Sequence, residues 1–511
     1  MKSSVLEPMA ERACWSARIP ELLAWMLERL RGLTVFLTLF GLFSLYSMSI
    51  AGGGVKEVAV IGGFFGGLAL LSRGVHFIAV FWIVGMPTLF VFPDRYLNAI
   101  PGFTSGRLLF AALLGCLILA RIFRRSAPQP LHRAELFAIG YLTIAFVSFL
   151  SQLPFETFAG AKVNAALFLQ GYMLPLGAFF IARRVAWTRA RIEQLLWLLT
   201  LVGIFLGVVA VLQQYFGVTV FNPRHIEVIN ADRAGATFGN SHELGAVVTS
   251  LIMIALLRAF HGGLSHGRVA FYLAAAALMS VALILTKTRG PWLAAMFAFA
   301  YLFIHDRRVR PLFIIVGGLG LLGGLAALPF LLDSAVWQQR IVELSPIYNR
   351  LTAYATALNA LAHHPFYGMG FTDLAFQYAK DRYISDAGPI SSFWVLNVGV
   401  PHNEFLFIAL LTGVPGLTLY LLALGHVHGA LARLRRAAGG ALAGRLALYA
   451  DAVVIVFVVN ALLIDFGLLN YFTIMMYFLA GTAVGYGARS AGCEHTASSA
   501  GSPSGNARDV P

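Results

Sequence analysis

Three arginines, two histidines and one asparagine stand out in this chain: Arg233, Arg289, Arg350, His364, His402 and Asn403. All fall where long apolar runs give way to polar residues. A guanidinium is a rigid fork of donors that grips phosphate or carboxylate oxygens in pairs. An imidazole titrates near neutral pH and can take a proton from a hydroxyl. Together they suit phosphate binding beside general-base catalysis. His402 is the sharpest of the set. It follows Pro401 at the entry to an apolar run, and Asn403 and Glu404 complete the turn. One reading is a plain helix start: Asn caps, Glu complements the dipole and His is incidental. In the other, the positive end of the helix disfavours imidazolium, so the ring keeps a free nitrogen for use as a base.

The arginines carry paired readings as well. Arg289 lies in LILTKTRGPWLAA between two apolar runs, with Pro291 starting the second. It either snorkels to lipid headgroups or binds an anion. Arg233, in RAGATFGNSHELG, precedes a run that Asn240 or Ser241 could cap and whose first turn suits Glu243. Capping accounts for Asn, Ser and Glu but not for Arg233, which is a solvated loop residue or a ligand-binding one. Arg350 heads the pattern RLTAYATALNALAHHP. Leu351, Tyr354, Ala355 and Leu358 recur at helical spacing, which predicts a helix lying flat with that face on the rest of the molecule. Pro365, Gly368 and Gly370 end it. His363 and His364 fit a helix C-terminus, where imidazolium is mildly favoured.

The elements that must hold these residues are membrane spans. The chain of 511 residues is 59% hydrophobic and 12% charged, about half the charge of a soluble domain. Apolar runs of about 20 residues recur, each long enough to cross a bilayer as a helix. The pattern predicts an all-α polytopic bundle of about twelve to fourteen spans. Residues 1–32 read as a cytoplasmic or interfacial segment and 33–332 as the main transmembrane bundle. Residues 333–401 read as a large, partly helical outer loop, 402–488 as the last spans, and 489–511 as a disordered Ser/Gly/Pro-rich tail. Glycine clusters at 62–67 and 317–324 suit close helix packing.

The net charge of +14 does not mark nucleic-acid binding, because the arginines fall in short clusters between apolar runs. The clusters around Arg125, Arg184, Arg308 and Arg435 share one face with Arg29 and Arg31. The positive-inside rule makes that face cytoplasmic, with both termini on it. Loops 217–241 and 333–401 are then periplasmic, out of reach of ATP and nucleotide sugars. No small-residue cleavage site follows Arg31, so the first run reads as a retained span. Cys14, Cys116 and Cys493 lie far apart with no CxxC, against a disulfide framework or a metal site. The spacing of Asp373, Asp381 and Asp386 suggests no metal either.

The ordered motifs resemble those of the bacterial O-antigen ligases and O-antigen polymerases. RAGATF is similar to their Arg-x-x-Gly-Thr-Phe segment, with Ala236 where glycine is usual. TKTRG resembles an Arg-Gly at the outer end of a span. HPFYGMG, HNEFL and GVPG then follow in the family's order. The resemblance covers residues 200–425 and rests on order and spacing; the first two hundred residues add only hydropathy. It implies a GT-C-type architecture with a large periplasmic loop. It also implies transfer of a glycan from undecaprenyl diphosphate to an acceptor hydroxyl at the periplasmic face of the inner membrane. That transfer is inverting and uses no cofactor and no metal. By position, His402 matches the family's catalytic histidine, Arg289 and Arg350 its essential arginines, and Arg233 a further loop arginine. His364 and Asn403 fall in the motifs as diphosphate- or glycan-binding residues. The implied partners are the undecaprenyl-diphosphate-linked glycan, a lipid A–core or glycan acceptor, and the bilayer.

The acceptor separates three activities. A ligase uses lipid A–core, a polymerase uses another repeat unit, and a protein O-oligosaccharyltransferase uses a side chain. The single long outer loop with HNEFL favours the ligase. A transporter or flippase is the rival from another class. It would place ionisable groups at mid-depth and show inverted repeats. No repeat is visible, and the spans are nearly free of charge, with Asp451 and Asp465, both near span ends, as exceptions. No HExxH or GxSxG supports an intramembrane protease.

Overall fold

The computed structural model describes residues 75–89, 104–122, 129–218, 233–332, 345–384, 399–467 and 470–500. The segment 1–32 and the expected spans at 33–50 and 57–72 lie outside these residues. Every described element is helical. The first half comprises α1 (Val75–Gly85), α2 (Ser105–Ile122), α3 (Arg133–Gln152), α4 (Phe158–Ala166), α5 (Leu174–Arg184) and α6 (Arg189–Phe216). A π-helical turn, Leu167–Met173, joins α4 to α5. Then come α7 (Ser241–His261), α8 (His266–Leu285), α9 (Arg289–His305), α10 (Arg310–Leu332), α11 (Ser345–His363) and α12 (Ala375–Tyr383). The chain closes with α13 (Glu404–Ala438), α14 (Leu442–Ala461) and α15 (Asn470–Ala500).

Seven helices among the described residues are long and apolar enough to cross a membrane. Shorter apolar stretches occur at Val75–Gly85, Ser105–Leu119 and Arg310–Ala326. This is an all-α polytopic membrane protein. Of the expected twelve to fourteen spans, these seven fall full-length among the described residues. Helix α9, with 17 residues, is short of the roughly 20 that span a bilayer. Helix α15 continues to Ala500, into the stretch whose composition reads as a disordered tail.

Four helix N-termini meet at one end of the bundle: those of α7, α9, α13 and α15. The connection between α14 and α15 ties three of them together. Its Phe466 and Gly467 amides donate to the Glu404 carboxylate (2.5 and 3.1 Å), and the Tyr471 amide donates to Glu243 (2.9 Å). The arginines gather at the opposite end. There Glu135 accepts from Arg183 (2.8 Å) and Arg184 (2.6 Å). Arg489 donates to the Val185 and Arg184 carbonyls, and Asp306 pairs with His261 at 2.5 Å and accepts from Tyr449 at 2.9 Å. Asp451 belongs to this half as well. Its carboxylate lies 2.6 Å from His428 Nδ1 and accepts from the Tyr301 hydroxyl, which in turn accepts from Arg435. It sits midway along α14 rather than near a span end, because that helix begins at Leu442, earlier than hydropathy places it.

Two elements differ from expectation in instructive ways. Helix α11 does pack against α13, but not by the expected face. Leu351 and Leu358 point outward, 52% and 53% exposed, while Thr352, Ala353, Thr356, Ala357 and Ala360 are buried. Small side chains let helix backbones approach closely, and beside a membrane that packing outweighs burial of leucine, which lipid solvates as well as protein does. Helix α13 is broken. At 35 residues it would run about 50 Å if straight, but Gly413 has φ 70° and ψ −175°, with Pro415 close behind. The HPFYGMG turn fills this break: the Val414 amide donates to the Pro365 carbonyl (2.7 Å) and the Met369 amide to the Leu410 carbonyl (2.6 Å).

Candidate functional site

The turns at the converging end are built by local hydrogen bonds. Before α7, Gln213 accepts from the Gly235 and Ala236 amides (3.0 and 2.9 Å), and Thr237 donates to the Pro87 carbonyl (2.9 Å). The Ala234 amide donates to Leu285, four residues before Arg289 (3.1 Å). Asn240 caps α7 by accepting from the His242 and Glu243 amides (2.8 and 3.2 Å). Before α9, the Thr286 hydroxyl donates to Leu283 (2.7 Å) and lies 2.8 Å from the Thr288 hydroxyl. Among the described residues, three non-glycine residues have positive φ: Ala236 (44°), Lys287 (49°) and His402 (53°). One lies in each of the segments RAGATF, TKTRG and PHNEF. Backbone of this kind is disfavoured for L-residues and persists where the surroundings hold it, which is typical of functional sites.

His402 stands at the entry to α13. Its Nδ1 lies 3.7 Å from Asp465 of the α14–α15 connection, a charge pair longer than a hydrogen bond. Nδ1 thus faces a carboxylate. Burial and the nearby Arg350 guanidinium hold the His402 imidazole below its ordinary value. Burial pushes the Asp465 carboxyl up to about 6. Near neutral pH the pair is therefore a neutral imidazole beside a carboxylate, and the carboxylate favours the imidazolium once a proton arrives. Tyr354, one turn after Arg350, donates its hydroxyl to the Leu462 carbonyl (2.8 Å), joining α11 to the same connection.

The expected residues separate into groups. Arg350 acts electrostatically on His402, Tyr354 and His242. Arg289 begins α9 and is exposed, and the next residue, Gly290, lies against His242 and Asn460. Neither Arg289 nor Arg350 makes a hydrogen bond or ion pair among the described residues. Arg233 has its Nε buried without a partner, and no hydrogen bond or ion pair among the described residues links it to the other candidates. Asn403 is occupied structurally: its Oδ1 accepts from the Leu406 amide (3.1 Å) and its Nδ2 donates to Leu462 (3.4 Å). His364 has one nitrogen 3.2 Å from the Tyr367 hydroxyl and the other 2.7 Å from that of Tyr383, which shapes the HPFYGMG turn. Among the described residues no group of three or more His, Cys, Asp or Glu side chains could hold a metal ion.

Sequence reasoning passed over His242 and gave Asp465 only to the transporter reading. A signal for the first was present. NSHE and HNE both place a histidine beside an asparagine cap and a glutamate at the start of an apolar run.

Residues 274–421 match the family model described as O-antigen ligase. This stretch is an O-antigen ligase family domain. The O-antigen ligase domain runs from α8 to the middle of α13 and contains Arg289, Arg350, His364, His402 and Asn403. Arg233 precedes it and Asp465 follows it, so part of the converging end lies outside the matched residues. The match supports glycan transfer of the O-antigen ligase and polymerase type in general. No curated protein matches the chain.

Proposed function

We propose that the protein transfers a glycan from undecaprenyl diphosphate to an acceptor hydroxyl at the periplasmic face of the inner membrane, acting as an O-antigen ligase on lipid A–core. The observation that carries this reading is one cluster: a histidine held neutral by burial and by Arg350, 3.7 Å from Asp465, with Arg289 at the start of α9 at the same end. His402 Nε2 takes the proton of the acceptor hydroxyl. The freed oxygen attacks the anomeric carbon from the face opposite the diphosphate, and the carbon–oxygen bond to the diphosphate breaks. Arg289 and Arg350 hold the leaving undecaprenyl diphosphate through paired hydrogen bonds and offset its growing charge. The sugar–phosphate bond is activated already, so the step draws on no nucleotide. The arginine-rich opposite end supports a cytoplasmic placement for that end. The long loop carrying HNEFL supports the ligase over the polymerase.

The test is complementation of a deletion strain by His402→Ala and Arg289→Ala at matched protein levels, read on a lipopolysaccharide gel. Both variants are expected to leave lipid A–core bare. Full glycan transfer by both sinks the assignment, and cores capped by a single repeat in the deletion strain identify a polymerase instead. Arg289→Lys keeps the charge but loses the fork; full activity there removes bidentate recognition from the mechanism.

A further inference from the structure

Gly290 follows the arginine proposed to hold the diphosphate, and its surroundings are unusual. A Cβ built on it would lie 3.4 Å from Asn460 Oδ1, 3.7 Å from Leu463 Cδ1 and 3.8 Å from His242 Nδ1. Asn460 is 1% exposed, and its Nδ2 donates to the Val456 carbonyl at 2.9 Å, which fixes its oxygen toward Gly290. That oxygen and His242 Nδ1 are both buried, and neither has a hydrogen-bond partner. Two polar atoms thus converge on one point beside the reactive cluster with no protein donor between them. Leaving a buried acceptor unpaired costs about 1–3 kcal/mol. The end of α14 that carries Asn460 also presents the Leu462 carbonyl to Tyr354 and Asn403 and leads to Asp465, 3.7 Å from His402, so this point lies at the same end as the cluster.

We propose that His242, Asn460 and Gly290 form a subsite for a pair of saccharide hydroxyls, one donating to Asn460 Oδ1 and the other to His242 Nδ1, as the sugar sits against the Arg289–Arg350–His402 cluster. A vicinal pair of hydroxyls satisfies both acceptors at once, and pairing of that kind discriminates strongly against a sugar lacking the group. Glycine is required at 290 for a stated reason: its missing side chain is the room the sugar uses. Among the described residues no contact demands it, since a methyl there meets its neighbours at ordinary contact distances and alanine is the better residue inside a helix. The proposal rests on the glycan-transfer reading above. The sugar belongs either to the donor or to the acceptor, and the kinetics separate the two.

The experiment uses full-length protein in liposomes, with polyprenyl-diphosphate-linked glycan as donor and lipid A–core as acceptor. KM for each substrate, kcat and the unfolding temperature are measured for wild type, Gly290→Ala, His242→Phe and Asn460→Ala. Gly290→Ala is expected to keep or raise the unfolding temperature while raising one KM roughly tenfold, the worth of one or two neutral hydrogen bonds. His242→Phe is expected to raise the same KM, which identifies the substrate that carries the hydroxyl. If Gly290→Ala and His242→Phe leave both KM values within twofold of wild type, the subsite is overturned while the transfer reading stands. Wild type that transfers no glycan from this donor overturns the transfer reading and the subsite with it.

Discussion

At His402 the proton affinity is set from two sides. Burial and the Arg350 cation lower it, and Asp465 at 3.7 Å favours the charged ring. A general base must be unprotonated, so kcat/KM rises with pH through the histidine's pKa, below its ordinary value near 6.5. Asp465→Asn removes the anion that favours imidazolium, and the acid limb of the profile is expected to move to lower pH with a fall in rate of at least roughly tenfold. Arg350→Gln removes the cation that opposes imidazolium, and the limb is expected to move to higher pH. His402→Ala is expected to lose about 10²- to 10⁴-fold, the usual worth of a positioned base. An acid limb that stays fixed in both neighbouring variants rules out His402 as the group that titrates. His402, Arg289 and Arg350 were legible in the sequence because a charged or titratable group stands out against apolar runs. Asp465 and His242 were not, because a carboxylate at a span end and a histidine at a helix start each have an ordinary explanation until the fold sets them beside the cluster.

Among the elements, the turns are where sequence and geometry meet most closely. Ala236 occupies a left-handed conformation (φ 44°) in the RAGATF turn, where an L-residue is strained by roughly 1–2 kcal/mol. Ala236→Gly is therefore expected to raise the unfolding temperature by about one degree, the effect of roughly 1 kcal/mol on a chain of 511 residues. Gly413→Ala should do the reverse. Its methyl would meet the Phe366 carbonyl carbon at 2.5 Å, and the broken helix could no longer seat the HPFYGMG turn, for a loss of about 1–3 kcal/mol. Differential scanning fluorimetry in detergent measures both. Helix α11 shows where the pattern misleads. Its leucines recur at helical spacing, yet its alanines and threonines face the protein. Periodicity marks one side of a helix, but near lipid it does not reveal which side turns inward.

The molecule as a whole has two unlike ends. One carries the cluster around His402, and the other carries Arg183, Arg184, Arg435 and Arg489 in bonds to Glu135, Tyr301 and backbone carbonyls. If the arginine-rich end is cytoplasmic, a cysteine-free background carrying His363→Cys should react with an impermeant maleimide in intact cells. Arg436→Cys, exposed at the other end, should react only after permeabilisation. The opposite pattern would invert the topology and abolish the periplasmic reading of the site. The all-α class and the existence of spans were plain from composition. The shortness of α9 was not, since hydropathy counts it with its longer neighbours.

The connection between α14 and α15 behaves as a ruler. Glu404 holds its amides at 466 and 467, and Glu243 holds the amide at 471, so two residues from distant parts of the chain fix how many residues lie between. Length there is a quantity under constraint, independent of which side chains fill it. Inserting one glycine after Gly467 leaves every catalytic candidate chemically intact, yet it shifts Tyr471 past Glu243 and so puts the α7 end, with His242, out of register with the α13 end that carries His402. Such an insertion is expected to abolish transfer in the lipopolysaccharide assay while the protein still reaches the membrane. The same glycine inserted after Gly263, in the turn between α7 and α8 at the other end, should be tolerated.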